Sequence, residues 1–424
     1  MSYFLPPTAL ALKRRLQARF VAEADPARLA RLPRAVLTEQ VQVLTERGLA
    51  EEALALTGRQ RERLVDAVVS ELIGLGPLEP LMLDEGITEI MVNGPDHVYV
   101  ERGGRLSRCE TVFDDEAHLR RLIERMLSPL GRRVDEASPL ADGRLVDGSR
   151  FNVILPPLAL NGPTLTIRKF ARQPLTMADL VRLGTLSERA AAFLNACVTG
   201  RLNILVSGGT GSGKTTTLGA LSSCIPETER VITVEDAAEL RLQQAHVVSL
   251  ESRPSNLEGR GEITIRQLVR NALRMRPDRI VLGEVRGGEA LDLLMALNTG
   301  HDGSLSTIHA NGPRDALSRL ETMTLMAGID LPLRAVREQI ASAVQLILHQ
   351  QRLRDGSRRV TSLIEVTGCD GERIETQELF RWEPSGTDAE GRIQGNICPT
   401  GIQPQFATRL QEHGLSALHW RIGS

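Results

Sequence analysis

Residues 208–216 have the composition and spacing of a phosphate-binding glycine loop. An apolar run at residues 204–206 precedes the loop and a helix-compatible run follows it, which is the context that this motif requires. Backbone N–H groups in such a loop converge on phosphate oxygens, and the helix N-terminus adds about half a positive charge. The sequence therefore predicts an ATP-binding site made of Gly208, Gly209, Thr210, Gly211, Ser212, Gly213, Lys214, Thr215 and Thr216.

Lys214 and Thr215 complete the predicted phosphate site. Lys214 is expected to bridge the β- and γ-phosphates, and the Thr215 hydroxyl is expected to bind Mg²⁺. Only three of the 51 basic residues are lysine, and one of them lies in this loop, where a compact ammonium fits better than a planar guanidinium. GTP is disfavoured because no lysine follows an asparagine, as the guanine-reading Asn-Lys-x-Asp motif needs.

Glu284 follows a short apolar strand at residues 280–282. The ends of parallel strands beside a glycine loop face the nucleotide, so we expect Glu284 to polarise the attacking water. A Walker B strand usually carries a metal-binding Asp before this Glu, whereas Gly283 stands at that position here. The metal would then depend on Thr215, phosphates, water and another carboxylate.

The other carboxylate is predicted to follow a second apolar strand, residues 231–234. Glu235 and Asp236 end this strand, and Glu239 lies one turn further on, at an expected helix start. His309 ends a third strand and could sense the γ-phosphate. For each of these side chains a structural or solvated role is the alternative interpretation.

Arg150 and Arg168 lie in an earlier segment of the chain. Alternation along residues 164–168 places Thr166 and Arg168 on the polar face of a strand. An arginine on such a face could reach a γ-phosphate, and known arginine fingers contribute about 10³- to 10⁵-fold in rate. Because arginine is so frequent in this chain, a solvated face is the alternative for each of them.

The pattern along the chain predicts an α/β protein with several parts. Residues 1–70 form a helical N-terminal extension, and residues 71–170 form a smaller α+β N-terminal domain. Residues 171–184 are a linker, and residues 367–424 form a C-terminal tail subdomain. Between the linker and the tail, strands and helices alternate over residues 185–366. This alternation predicts a parallel sheet with helices on both faces and a RecA-like P-loop ATPase domain.

Composition narrows the class of protein. The net charge of −2 and an aromatic content of 3% disfavour binding to nucleic acid. No apolar stretch approaches the roughly 18 residues of a membrane span, and the first ten residues lack the features of a secretory signal. The five cysteines show no CxxC spacing, which argues against a metal site or a disulfide framework. We therefore expect a cytoplasmic protein.

Longer motifs accompany the glycine loop in a characteristic order. They lie at residues 73–79, 87–94, 148–157, 256–262, 269–278, 283–288 and 299–311. With these motifs the chain resembles a secretion ATPase of the type II/type IV superfamily, and most of all the CpaF/TadA branch, which powers tight-adherence (Flp-type) pili. The resemblance runs from about Leu72 to the C-terminus.

The resemblance implies a homohexameric ring with ATP between the two domains of each subunit. Residues 231–240 are similar to the Asp box of the family, Gly283 and Glu284 to its Walker B motif, and residues 301–309 to its His box. Two N-terminal-domain arginines that approach the nucleotide correspond to Arg150 and Arg168. The implied partner is an inner-membrane platform protein, which would make the protein peripheral to the inner membrane.

Two other classes of function stay open at this point. One is a RecA-like ATPase that acts on nucleic acid, and the other is a nucleotide-gated assembly protein that hydrolyses little ATP. The sequence also leaves open whether such a motor extends or retracts a fibre.

Overall fold

The computed structural model describes residues 7–23, 33–170, 174–253, 255 and 260–413. The chain divides into two compact units, Met1–Ala171 and Arg172–Ser424. Among the residues that the structure describes, none of the helices combines the length and the apolar composition of a membrane span.

The first unit begins with helices, as the sequence predicts. They are α1 (Pro7–Glu23), α2 (Arg34–Glu51) and α3 (Gly58–Ile73), and the short α4 (Glu79–Leu83) follows. Helix α3 starts with a capping box in which the Thr57 hydroxyl and the Gln60 side chain each accept from the other residue's backbone N–H. Buried leucines and valines of α1, α2 and α3 pack together in one apolar cluster.

A six-stranded antiparallel sheet with one helix forms the rest of this unit. Its elements are β1 (Ile87–Asn93), β2 (Val98–Arg102), β3 (Arg105–Arg108), α5 (Glu116–Leu127), β4 (Leu140–Arg144), β5 (Arg150–Ile154) and β6 (Thr164–Arg168), in the strand order β3-β2-β1-β6-β5-β4. The apolar face of the sheet and the apolar stripe of α5 share one core. The predicted α+β fold is confirmed, although β3 and β4 were not predicted. All four residues of β3 are exposed, so this strand carries no alternation of buried and exposed positions.

The second unit is an α/β domain. Its elements are α6 (Met177–Arg182), α7 (Glu188–Thr199), β7 (Ile204–Gly208), α8 (Lys214–Ser222), β8 (Val231–Glu235), β9 (Val247–Glu251), α9 (Ile265–Ala272), β10 (Arg279–Val285), α10 (Glu289–Leu297), β11 (Leu305–His309), α11 (Pro313–Leu325), α12 (Leu333–Ala343), β12 (Leu346–Arg352), β13 (Arg358–Cys369), β14 (Ile374–Thr387), β15 (Ile393–Pro399) and α13 (Ala407–Glu412). Helix α6 lies inside the predicted linker, so residues 177–182 are helical rather than irregular.

One nine-stranded sheet holds this unit together, in the order β15-β14-β13-β12-β7-β11-β10-β8-β9. The strands from β12 to β9 in this order are parallel, whereas β13, β14 and β15 are added antiparallel, so the predicted all-parallel sheet is mixed. Strand β13 also runs through the predicted boundary between residues 366 and 367, so that the last strands extend the same sheet. Two apolar clusters contain the buried residues of the sheet and its helices.

Candidate functional site

The glycine loop joins the end of β7 at Gly208 to the start of α8 at Lys214. Gly211 and Gly213 have φ angles of +68° and +96°, a left-handed backbone that glycine adopts without strain. Gly213 is the N-cap of α8, so the first N–H groups of that helix have no helical partner and are available to an anion. The predicted strand–loop–helix arrangement is confirmed.

The loop is braced from outside by β12 and β13, which we call the bracing hairpin (residues 346–369). A Cβ on Gly208 would collide with the Gln350 carbonyl oxygen. The Thr217 hydroxyl donates to Gln350 Oε1 at 2.6 Å, and Arg358 Nε donates to the Gly211 carbonyl at 3.0 Å. Sequence reasoning missed these partners because they lie more than a hundred residues from the loop.

Lys214 extends across the loop. Its Nζ donates to the Gly209 carbonyl at 3.1 Å and lies 4.0 Å from Glu284 Oε1. The ammonium of the glycine loop and the carboxylate predicted from β10 therefore belong to one site. Phosphate oxygens can replace the carbonyl as partners of this ammonium, because both are anionic or partly anionic acceptors.

Thr215 lies half-buried in the first turn of α8, and Thr216 next to it is exposed. A hydroxyl oxygen at this place suits a hard cation such as Mg²⁺, which prefers oxygen ligands and keeps several waters. Among the described residues there is no cluster of three or more His, Cys, Asp or Glu that could hold a metal ion.

Glu284 lies near the end of β10 and contacts two cations. Its Oε2 accepts from Arg286 Nε at 2.8 Å and lies 2.6 Å from Nη2, while its Oε1 faces Lys214. Arg286 Nη1 also lies 2.9 Å from Asp236 Oδ2, at the end of β8. Burial opposes it, but the hydrogen bond and charge of Glu284 raise the pKa of Arg286. The guanidinium therefore links the ends of two strands of the sheet.

Glu235 is buried, and its carboxylate accepts hydrogen bonds from the loop that follows β8. Its carboxylate accepts from the backbone N–H groups of Glu239, at 3.1 Å, and of Leu240. The helix expected at Glu239 is not present, and residues 236–246 form an irregular loop instead. A carboxylate at the strand end supplies the hydrogen bonds that a helix would otherwise provide for these N–H groups.

His309 is the last residue of β11, directly beside Gly208 in the parallel register. His301 precedes β11 and thus lies at the opposite edge of the sheet, where its Nδ1 is 3.3 Å from the Ala296 carbonyl. A third histidine was not predicted: His349 of β12 is buried, with Nδ1 2.8 Å from Ser207 Oγ. Burial lowers the pKa of His349, which favours the neutral ring.

Arg150 and Arg168 are cross-strand neighbours on β5 and β6 of the first unit. Both are exposed, and Arg168 Nε lies 3.9 Å from Glu89 Oε1 of β1. Arg144 of β4 pairs with Arg150 in register, so three arginines follow one another across this face. The role of these side chains toward a nucleotide stays a prediction. Within the resemblance motifs, residues 256–259 lie outside the described part of the chain.

The fold and the site define a RecA-like P-loop ATPase domain preceded by a smaller α+β domain. The sequence profile of the family described as "Type II/IV secretion system protein" matches residues 71–402. The chain belongs to this family.

Two relatives and one solved structure illustrate the similarity. A Mycobacterium tuberculosis protein named as a conjugal transfer protein is 44% identical over 308 residues, 71% of this chain and 87% of its own length. Type IV secretion system protein PtlH of Bordetella pertussis is 36% identical over 313 residues, 67% of this chain and 91% of that protein. The pilus retraction motor PilT, crystallised with ADP, superposes with a TM-score of 0.50 at 19% identity and covers 80% of this chain and 86% of that one. This last likeness supports the fold alone.

Proposed function

We propose that this protein is a Mg²⁺-dependent ATPase that drives a secretion or pilus machine. The observation that carries the proposal is the approach of Lys214 Nζ to within 4.0 Å of Glu284 Oε1, at the sheet edge where the glycine loop opens. A phosphate-binding ammonium beside a strand-end carboxylate is what hydrolysis of a bound γ-phosphate requires.

Each site residue receives a role in this proposal. The loop N–H groups and Lys214 hold the phosphates, and Thr215 would hold Mg²⁺, which supplies charge neutralisation on the phosphate oxygens when bound. Glu284 orients and polarises the attacking water. His309, which is beside Gly208 at the end of the neighbouring strand, would sense the γ-phosphate.

Glu235 and Glu239 act on the same site at longer range in this proposal. Glu235 holds the loop after β8 through its backbone hydrogen bonds, and Glu239 in that loop is half-buried. A carboxylate in such a loop can bind a metal-coordinated water rather than the metal itself, because Mg²⁺ keeps several of its waters.

The finer assignment to a CpaF/TadA-type motor rests on the sequence motifs, and the named relatives support the coarser class of conjugation and type IV secretion. From the resemblance we infer a homohexamer that works on an inner-membrane platform protein from the cytoplasmic side. In that assembly Arg150 and Arg168 would contribute positive charge to the nucleotide.

ATP hydrolysis by the full chain tests the proposal. Lys214→Ala should lower the rate by about 100-fold or more, because the loop loses its phosphate-bound charge. Arg334→Ala is the control, since it also removes one cation but breaks only an exposed pair with Glu338 on α12. Hydrolysis that survives Lys214→Ala unchanged would refute the site.

Two results would favour the other classes of function. Stimulation of hydrolysis by single- or double-stranded DNA would support an enzyme that acts on nucleic acid. Tight ATP binding without turnover, under conditions where the ring forms, would support a nucleotide-gated assembly protein.

A further inference from the structure

One guanidinium is shared between the two acidic strand ends of the ATPase sheet. Arg286 donates from Nε to Glu284 Oε2, which also lies 2.6 Å from Nη2, and donates from Nη1 to Asp236 Oδ2 at 2.9 Å. Asp236 Oδ1 in turn accepts from the Ser252 hydroxyl at 3.3 Å. Arg286 is therefore fixed on one side by the acid of β10 and on the other by the acid that follows β8.

The backbone of Arg286 is fixed as well. Its N–H donates to Glu289 Oε1 at 2.6 Å, and the N–H of Gly287 donates to the same oxygen at 2.8 Å. These bonds satisfy backbone donors just before α10, where a helix leaves N–H groups without partners. The side chain thus starts from a defined backbone position and ends between two carboxylates.

Stability alone does not explain this arrangement. The Arg286 side chain is 63% exposed, and exposed ion pairs contribute only about 0–1 kcal/mol. What the pairing does control is the rotation of the Glu284 carboxylate. With Oε2 held by the Nε hydrogen bond and the Nη2 ion contact, Oε1 is the oxygen left to face Lys214 and the glycine loop.

We propose that Arg286 is a positioning residue for Glu284, with Asp236 as its anchor. When ATP draws Lys214 toward its phosphates, Oε1 of Glu284 becomes available to accept a hydrogen bond from the attacking water, while Arg286 keeps Oε2 in place. This inference rests on the proposed ATPase function and on Glu284 as the residue that polarises water. It assigns to Arg286 a role that acts only through Glu284.

The test compares Arg286→Ala and Arg286→Lys in the full chain, each alone and combined with Glu284→Gln. Arg286→Ala should lower kcat by about 10- to 100-fold, the scale of a misplaced catalytic group, with the Kd for ATP unchanged. Arg286→Lys should recover part of the loss, because a lysine can keep one of the hydrogen bonds. In the Glu284→Gln background, Arg286→Ala should have no further effect on kcat.

Asp236→Ala and the control Arg334→Ala complete the set. Asp236→Ala should lower kcat less than Arg286→Ala and should add nothing to it, whereas Arg334→Ala, which breaks an exposed pair with Glu338, should leave kcat and the melting temperature unchanged. If the kcat losses of Asp236→Ala and Arg286→Ala multiply in the double variant, the proposal that Asp236 acts as the anchor of Arg286 is overturned.

The outcomes separate this inference from the function on which it rests. If Glu284→Gln hydrolyses ATP at the unmodified rate, the role of Glu284 in the proposed function is wrong. If Glu284→Gln is impaired but Arg286→Ala keeps its kcat, only the positioning role is overturned. A weaker Kd for ATP in Arg286→Ala, with kcat unchanged, would overturn it as well, because Arg286 would then act on the nucleotide directly.

Discussion

The Glu235 side chain occupies the space over Gly283 on the neighbouring strand, so that a Cβ added to Gly283 would lie 2.8 Å from Glu235 Cγ. Strands β8 and β10 are parallel and in register up to Val234 and Leu282. The Asp that a Walker B strand usually carries before its Glu would collide here with the buried Glu235 side chain, whose Cγ lies over the position. The glycine in this motif is thus a packing requirement of the adjacent acidic strand.

This contact predicts the effect of a side chain at residue 283. Gly283→Ala should displace Glu235 and release the loop that its carboxylate holds, at a cost of about 1–3 kcal/mol in the free energy of unfolding. ATP hydrolysis should fall with it. Denaturant unfolding of Gly283→Ala beside Gly312→Ala, where the added Cβ meets nothing within 4 Å, measures the difference. Equal stability of the two variants would contradict the packing argument.

The bracing hairpin should set the affinity of the glycine loop for nucleotide. Arg358→Ala removes the hydrogen bond to the Gly211 carbonyl, so the loop is less ordered before binding. We expect the Kd for ATP to rise by about 3- to 10-fold, the effect of one hydrogen bond to a charged group in part-exposed surroundings. The matched control is Arg354→Ala, exposed in the turn of the same hairpin. If the Kd for ATP rises equally in Arg358→Ala and Arg354→Ala, the loss of positive charge, and not of the hydrogen bond, would explain the effect.

Thr217 and Gln350 tie α8 to β12 inside the core. Thr217→Val keeps the shape of the side chain but leaves Gln350 Oε1 buried without this donor. Such an unsatisfied group should cost about 1–3 kcal/mol of stability. The exposed Thr216→Val, one residue earlier, should cost much less. Thermal denaturation of both variants checks this, and similar melting temperatures would argue against the buried bond.

The stability of the first unit should depend on pH through the ionisation of Glu71. This buried carboxylate accepts from Lys13 Nζ at 2.6 Å and from His118 Nε2 at 2.8 Å. Burial acts to raise its pKa, but the His118 hydrogen bond and the Lys13 charge lower the pKa of Glu71 to about 2, from an ordinary value of 4.5. A carboxyl whose pKa is lowered on folding stabilises the fold above its unfolded pKa and loses this contribution as the pH falls toward the folded one.

The contribution of Glu71 is about 3 kcal/mol near neutral pH, and it should decline between pH 4.5 and 2. In Glu71→Gln this part of the pH dependence should be absent, and the variant should be less stable at neutral pH because Lys13 stays buried without its counter-ion. Urea unfolding of the unmodified chain and of Glu71→Gln at several pH values measures the slope of the free energy of unfolding against pH in each. Glu51→Gln, which removes an exposed partner of Arg47, should keep the slope of the unmodified chain. An unchanged slope in Glu71→Gln would contradict this account.

Much of the fold could be predicted because its signals are local. The glycine loop has fixed spacing, and β8, β10 and β11 are short apolar runs that end in polar residues at the same edge of the sheet. The added strands β13, β14 and β15 could not be assigned to the ATPase sheet, since antiparallel pairing with β12 depends on distant partners. Helix α6 was missed because it is short and lies next to Pro174.

The site was predictable only in part, for a related reason. Glu284 and Lys214 follow from strand ends and loop spacing, and the structure brings them together. Arg286 and Arg358 are two arginines in a chain that uses arginine almost everywhere, so the residue type alone does not single them out. Arg286 contacts the nearby Glu284, but its second partner Asp236 lies 50 residues away, and the partner of Arg358 lies 147 residues away.

The central claim is that Glu284 activates water for hydrolysis of ATP held by the glycine loop. The most direct measurement is ATP binding and single-turnover hydrolysis by Glu284→Gln, beside Glu338→Gln, which changes an exposed partner of Arg334 on α12. The account predicts that Glu284→Gln binds ATP as tightly as the unmodified protein but hydrolyses it at least about 100-fold more slowly, whereas Glu338→Gln is unchanged. Hydrolysis by Glu284→Gln at the unmodified rate would contradict it.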